Sequence, residues 1–300
     1  MQFAHTSMIT PRLKTGQKIA FMNVSDSPAI ISSARIEAGI SRMNKLGFEV
    51  EFNEESLFKR VSSREQADEF NNVVQREEVG CILCASGGTR CVSLLPYIDF
   101  DVFAKNPKLV MGTSDCSHLL QAIAYKTNIV TIEGPVVNRL CEWSLDGEKA
   151  FMDYCIRGMD MVYEQPAEWN VFSEGTAHGI AWSGNPITIA SMQFLLNRTI
   201  LDDAILCIED HSHTSEEMIR YWFSVLREKG TFQSLKGMIF GAFTATSANT
   251  LHNIYIDFFQ DLNIPVVQTD VFGTKHYCPI PLGTKCTIDT TQKIITFHHA

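Results

Sequence analysis

Short apolar runs alternate with longer amphipathic stretches through the first half of the chain. Lys18-Ile-Ala-Phe-Met22, Gly47-Phe-Glu-Val-Glu51, Val79-Gly-Cys-Ile-Leu-Cys-Ala85, Lys108-Leu-Val-Met-Gly112 and Ile129-Val-Thr-Ile132 read as strands. Between them, residues 31–46, 63–76, 92–95 and 117–126 carry apolar side chains at helical spacing. Ser63 and Gln66 have the spacing of a capping box at a helix start. This strand-helix rhythm predicts a parallel sheet covered on both faces.

The rhythm breaks at Glu164-Gln-Pro-Ala-Glu-Trp-Asn170, which sets the expected division into domains of residues 1–165 and 166–300. The second half is less regular. Strands are expected at 204–208, 237–241 and 265–268, and helices at 215–229 and 249–260. Residues 285–289 and 293–297 read as a closing hairpin around Thr290-Thr291-Gln292. The fold class is α/β, mainly parallel and doubly wound at the N-terminus and mixed at the C-terminus.

Composition narrows the class. The 300 residues are 45% hydrophobic with a formal net charge of -9, enough apolar content for two cores. That balance, with no cluster of Lys and Arg, argues against a nucleic-acid partner. No run approaches the roughly 20 apolar residues of a membrane span, and the first twenty residues hold no leader-like core. A soluble, cytoplasmic protein is expected. The nine scattered cysteines suit a reducing compartment. Cys81 and Cys84 have a redox or zinc spacing, but three residues apart on a strand they face opposite ways and read as core.

Candidate chemistry concentrates where strands end. Lys108-Leu-Val-Met-Gly-Thr-Ser114-Asp115-Cys-Ser-His118 runs from a strand through a turn into a helix, the setting of a nucleophile elbow. N–H groups at a helix start can hold an oxyanion. A second turn, Ser86-Gly87-Gly88, follows the preceding strand, so the N–H groups of Gly88 and Asp115 are candidate oxyanion donors. Either turn alone is equally compatible with an ordinary loop.

Several segments taken in order resemble one family. Cys84-Ala-Ser-Gly-Gly88, Leu94-Leu-Pro-Tyr-Ile-Asp-Phe100, Asn106 to Asp115, Thr131-Ile-Glu-Gly-Pro135, Gly175-Thr-Ala-His-Gly179, Ile205-Leu-Cys-Ile-Glu-Asp210 and Ile280-Pro-Leu-Gly283 are similar to the LD-carboxypeptidases, which include the microcin C immunity peptidases. The resemblance implies a first domain like that of class I glutamine amidotransferases and a Ser-His-Glu triad that needs no metal or cofactor. Ser114 falls on the nucleophile, Glu209 on the acid, and Gly88 and Asp115 on the oxyanion positions. The family's histidine directly follows Phe-Gly; here Phe272-Gly273 is followed by Thr274-Lys275 and then His276, the candidate base. The resemblance also implies a homodimer that cleaves an L,D-peptide bond of a muropeptide or a peptidyl-nucleotide amide.

Three alternatives stay open. His118, His211 or His213 could supply the base instead of His276. Asp210-His211-Ser-His213 could hold a metal. A homologue with a displaced histidine could bind its ligand without cleaving it, and Trp169 or Trp182 could stack on a nucleobase.

Overall fold

The computed structural model describes residues 8–25, 31–196, 200–210, 214–243, 246–273 and 276–300. In chain order the strands are β1 Lys18–Met22, β2 Glu49–Phe52, β3 Val79–Cys84, β4 Leu109–Gly112, β5 Thr131–Glu133, β6 Met161–Glu164 and β7 Trp169–Ser173. They continue with β8 Thr176–Gly184, β9 Ala204–Asp210, β10 Gly237–Phe243, β11 Val266–Thr269, β12 Ile280–Leu282, β13 Lys285–Asp289 and β14 Ile294–Phe297.

The first sheet has the order β12-β5-β4-β3-β1-β2. Strands β1 to β5 are parallel, and β12 closes the edge antiparallel to β5. Every residue of β3 and β4 is buried, as expected of central parallel strands covered on both faces. The covering helices include α1 Ser33–Lys45, α2 Glu54–Phe58, α3 Ser63–Val74, α4 Phe100–Lys105 and α5 Ser117–Thr127. Cys81 and Cys84 are both buried in β3 with free thiols. The α3 cap lies one residue earlier than its spacing suggested: Glu65 N–H donates to the Ser62 hydroxyl, and Ser62 N–H donates back to the Glu65 carboxylate.

The second sheet has the order β6-β14-β13-β8-β9-β10-β11-β7. Its centre, β8 to β11, is parallel and its flanks are antiparallel, so this half is mixed. Helices α6 Leu145–Phe151, α7 Pro186–Leu195, α8 Glu216–Glu228 and α9 Ala248–Phe258 complete the fold. Two strands cross the expected division at 165/166. Strand β6 precedes it yet joins the second sheet, while β12 follows it and returns to the first. The chain is thereby stitched twice across the interface between the two sheets.

Among the described residues, no helix is long and apolar enough to cross a membrane.

Candidate active site

Ser114 leaves β4 with φ at +62°, a left-handed conformation that a side-chain-bearing residue adopts at a cost. A short 3-10 turn, Ser114–Cys116, then runs directly into α5. This is the sharp strand-turn-helix geometry that lifts a hydroxyl above a sheet. The Gly87-Gly88 turn lies against it. A Cβ added to Gly87 would sit 3.0 Å from both Cβ and Oγ of Ser114 and 3.9 Å from the Asp115 nitrogen, so any side chain here would press on Ser114. The two turns read from sequence are neighbours in space.

The Asp115 side chain is committed away from the turn. Its Oδ2 accepts the Ser25 hydroxyl and, at 2.7 Å, the Cys91 N–H. Its Oδ1 lies 3.1 Å from His118 Nδ1, which is also 2.9 Å from the Asp115 carbonyl. Burial opposes the charge, but the donors from His118, Ser25 and Cys91 outweigh it and hold the carboxyl below its ordinary value. Both neighbours of His118 Nδ1 are acceptors, so that nitrogen carries the proton. On the other side of the ring, Nε2 lies 2.7 Å from Ser191 Oγ on α7.

The order Asp115-His118-Ser191 imitates a triad, but Ser191 sits mid-helix and its hydroxyl reaches the Ile187 and Thr188 carbonyls. It lacks the strained turn of a nucleophile. We read it as a tie between α5 and the second half. Gln121, one turn further along α5, adds a 3.0 Å bond from Nε2 to the Ser183 carbonyl of β8.

Glu209 is the penultimate residue of the fully buried strand β9. Burial, then the charges of Glu133 and Asp210, push its carboxyl up to about 8. Glu133, which ends β5 beside the Ser114 turn, is near enough for its charge to act on Glu209 from the other sheet. A Cβ on Gly273 would lie 3.1 Å from Glu209 Cβ and 3.2 Å from its Oε2, so the Phe272-Gly273 backbone rests on this carboxyl.

In the structure His276 pairs with Asp270. Its Nε2 lies 3.1 Å from Asp270 Oδ2, and its carbonyl accepts the Ser144 N–H at 3.3 Å. The ring lines a groove of about 590 Å³ with Asp146, Lys149, Tyr163 and Cys278, to which neither Ser114 nor Glu209 contributes. Thr274 and Lys275 lie outside the described residues, as do His211 and His213.

Trp182 is buried in β8, and Trp169 Nε1 donates to the Thr290 carbonyl at 3.2 Å. Among the described residues, no group of three or more His, Cys, Asp or Glu side chains is arranged to hold a metal. Sequence reading missed Ser25, Glu133 and the His118–Ser191 contact. Glu133 stood inside the Thr131-Ile-Glu-Gly-Pro135 segment, but its neighbours are set only by sheet register.

Comparison with known proteins identifies the family. Residues 19–134 match the LD-carboxypeptidase N-terminal domain and residues 178–288 the C-terminal domain. The microcin C7 self-immunity protein MccF of Escherichia coli is 25% identical over 98% of this chain and 96% of its own length. A Vibrio cholerae protein named as a carboxypeptidase is 26% identical over 92% of this chain and 93% of its own. Among solved structures, an MccF-like protein from Bacillus anthracis superposes with a TM-score of 0.86 at 23% identity, covering 97% of this chain and all of that one. With one match spanning the strands around Ser114 and the other those around Glu209, the chain belongs to the LD-carboxypeptidase family and is a peptidase.

Proposed function

We propose that the protein is a serine carboxypeptidase in which Ser114 attacks the carbonyl of a terminal amide, with Glu209 as the acid, His276 as the base, and the Gly88 and Asp115 N–H groups as oxyanion donors. The observation that carries this reading is the left-handed Ser114 turn pressed against the Gly87-Gly88 backbone. A serine hydroxyl is a poor nucleophile until an imidazole accepts its proton. To act as the base, His276 has to exchange Asp270 for Glu209, beside which Gly273 of the same segment lies. The proton it takes from Ser114 is then given to the leaving amine, and water releases the acyl group by the same path.

The substrate is a small peptide with a terminal amide, and we favour the L,D-bond of a muropeptide, which places the enzyme in peptidoglycan recycling. Relatives support this choice, since a Bacillus subtilis protein named as a murein peptide carboxypeptidase is 22% identical over 91% of this chain and 91% of its own length. A peptidyl-nucleotide amide is the second reading, favoured by the MccF structure in complex with aspartyl sulfamoyl adenosine, 23% identical with a TM-score of 0.80 over 98% of each chain. A non-cleaving binder is the third, favoured by the His276–Asp270 pairing.

Muropeptides and peptidyl-nucleotides assayed in parallel separate these readings. Release of a terminal D-amino acid is expected, and Ser114→Ala should lower turnover by about 10⁶. Retained activity in that variant would refute the nucleophile.

We also place the enzyme in the cytoplasm, in keeping with its free cysteines, and as a homodimer. Exposed Ile187, Phe194 and Leu195 of α7 and Met218 and Tyr221 of the neighbouring α8 support the dimer. Sedimentation equilibrium at twice the chain mass is the expected result.

A further inference from the structure

Glu133 plays no part in the mechanism above. It stands beside Gly112 of β4 in the sheet, two residues before the nucleophile, and is 4% exposed. One carboxyl oxygen accepts the Ser117 hydroxyl at 2.9 Å. The Thr113 hydroxyl and the Ser114 N–H face the same carboxyl, while Oε2 makes no hydrogen bond among the described residues. The polar groups that surround it thus belong to the turn presenting Ser114. A buried carboxyl with an unpaired oxygen destabilises the fold, so it calls for a reason.

The charged groups that face it are few. His118 does so from α5 and Glu209 from β9, with Asp210 next to Glu209 and Tyr277 facing Glu209 from the segment before β12. Its partners in the sheet, Gly112 and Ile280, carry no charge. Two buried carboxyls that act on each other resist ionising together and titrate as a pair.

We propose that Glu133 is a positioning residue for the nucleophile: its carboxyl ties the Ser114 turn to the end of β5, and its charge, acting on Glu209, sets the pH range in which the site works. This rests on the reading of Ser114 as nucleophile and Glu209 as acid. Glu133→Gln keeps the size of the side chain and an acceptor for Ser117 but removes the charge, so Glu209 ionises at lower pH. Glu133→Ala removes both charge and anchor.

The test is the rate at which an alkyl fluorophosphonate labels Ser114 in the full chain between pH 5 and 9, with Ser114→Ala as the blank. In the parent the rate should rise with pH as Glu209 ionises. In Glu133→Gln the rise should come about one pH unit earlier with a plateau near that of the parent. Glu133→Ala should label some 10- to 100-fold more slowly at every pH, because the turn has lost its anchor. If Glu133→Ala does not fold, the Gln profile alone decides. An unshifted Gln profile with a well-labelled parent overturns the role of Glu133 and leaves Ser114 standing, whereas a parent that never labels overturns both.

Discussion

At the residue scale, the site depends on two glycines that let backbone approach a reacting group. Gly87 meets Ser114, and Gly273, at φ +87°, meets Glu209. Gly87→Ala would push a methyl into contact with the Ser114 Cβ and Oγ at 3.0 Å. Because displacing a catalytic atom by about 1 Å can cost on the order of 10²-fold, activity should fall by about that factor while the melting temperature changes little. Steady-state kinetics beside a melting curve checks this, and unimpaired kcat/KM would show that the Gly87 turn does not define the nucleophile's position. Gly273→Ala is expected to be worse for folding, since it adds a left-handed strain of about 1–3 kcal/mol to the contact with Glu209. Urea unfolding reads that loss.

At the element scale, α5 does more than cover the first sheet. Its first eight residues, Ser117 to Ala124, are all buried, as a helix covered on every side must be. The first sheet lies on one flank and α7 with β8 on the other, so the helix that begins at the nucleophile is also the one that grips the second half. The His118–Ser191 bond at 2.7 Å is the most direct of these grips. Removing one partner of a buried hydrogen bond costs about 1–3 kcal/mol, so His118→Ala should destabilise by that order and Ser191→Ala by less, its hydroxyl being partly exposed. A double-mutant cycle should give a coupling of about 0.5–3 kcal/mol, and additive effects would show that the contact contributes nothing to the docking of the two halves.

At the scale of the whole molecule, buried carboxyls make stability depend on pH. Glu209 is raised from 4.5 to about 8 and Glu133 to about 7, in both cases first by burial. The folded chain therefore binds more protons than the unfolded one between pH 4.5 and 8, and stability falls as pH rises through that window. Asp115 and Asp153 act in the other direction: the first is held low by its donors against burial, the second first by its bond from Lys149. Their contribution is lost as pH falls through those depressed values. The melting temperature should peak near pH 5 and decline toward pH 8.5, and Glu209→Gln should flatten the decline. A parent profile flat from pH 5 to 8.5 would mean that these carboxyls are solvated.

Elements such as the strand Val79–Cys84 and the helix Glu216–Glu228 were legible in the amino-acid pattern because they are set by local periodicity and caps, whereas β6, β7, β8 and α7, which build the centre and edges of the second half, were not. The turns of Gly87-Gly88 and Ser114 were legible for the same reason: a glycine pair and a strand-to-helix junction are local events. Nothing local tells that β12 returns to the first sheet, that Ser25 donates to Asp115, or that Glu133 acts on Glu209 from the other sheet. Those relations depend on sheet order and on long-range docking. The position of His276 belongs with them, since a flexible side chain takes whichever carboxylate the folded segment brings within reach. Here that partner is Asp270, because the structure sets Asp270 and His276 on the wall of one groove while Glu209 lies beneath Gly273.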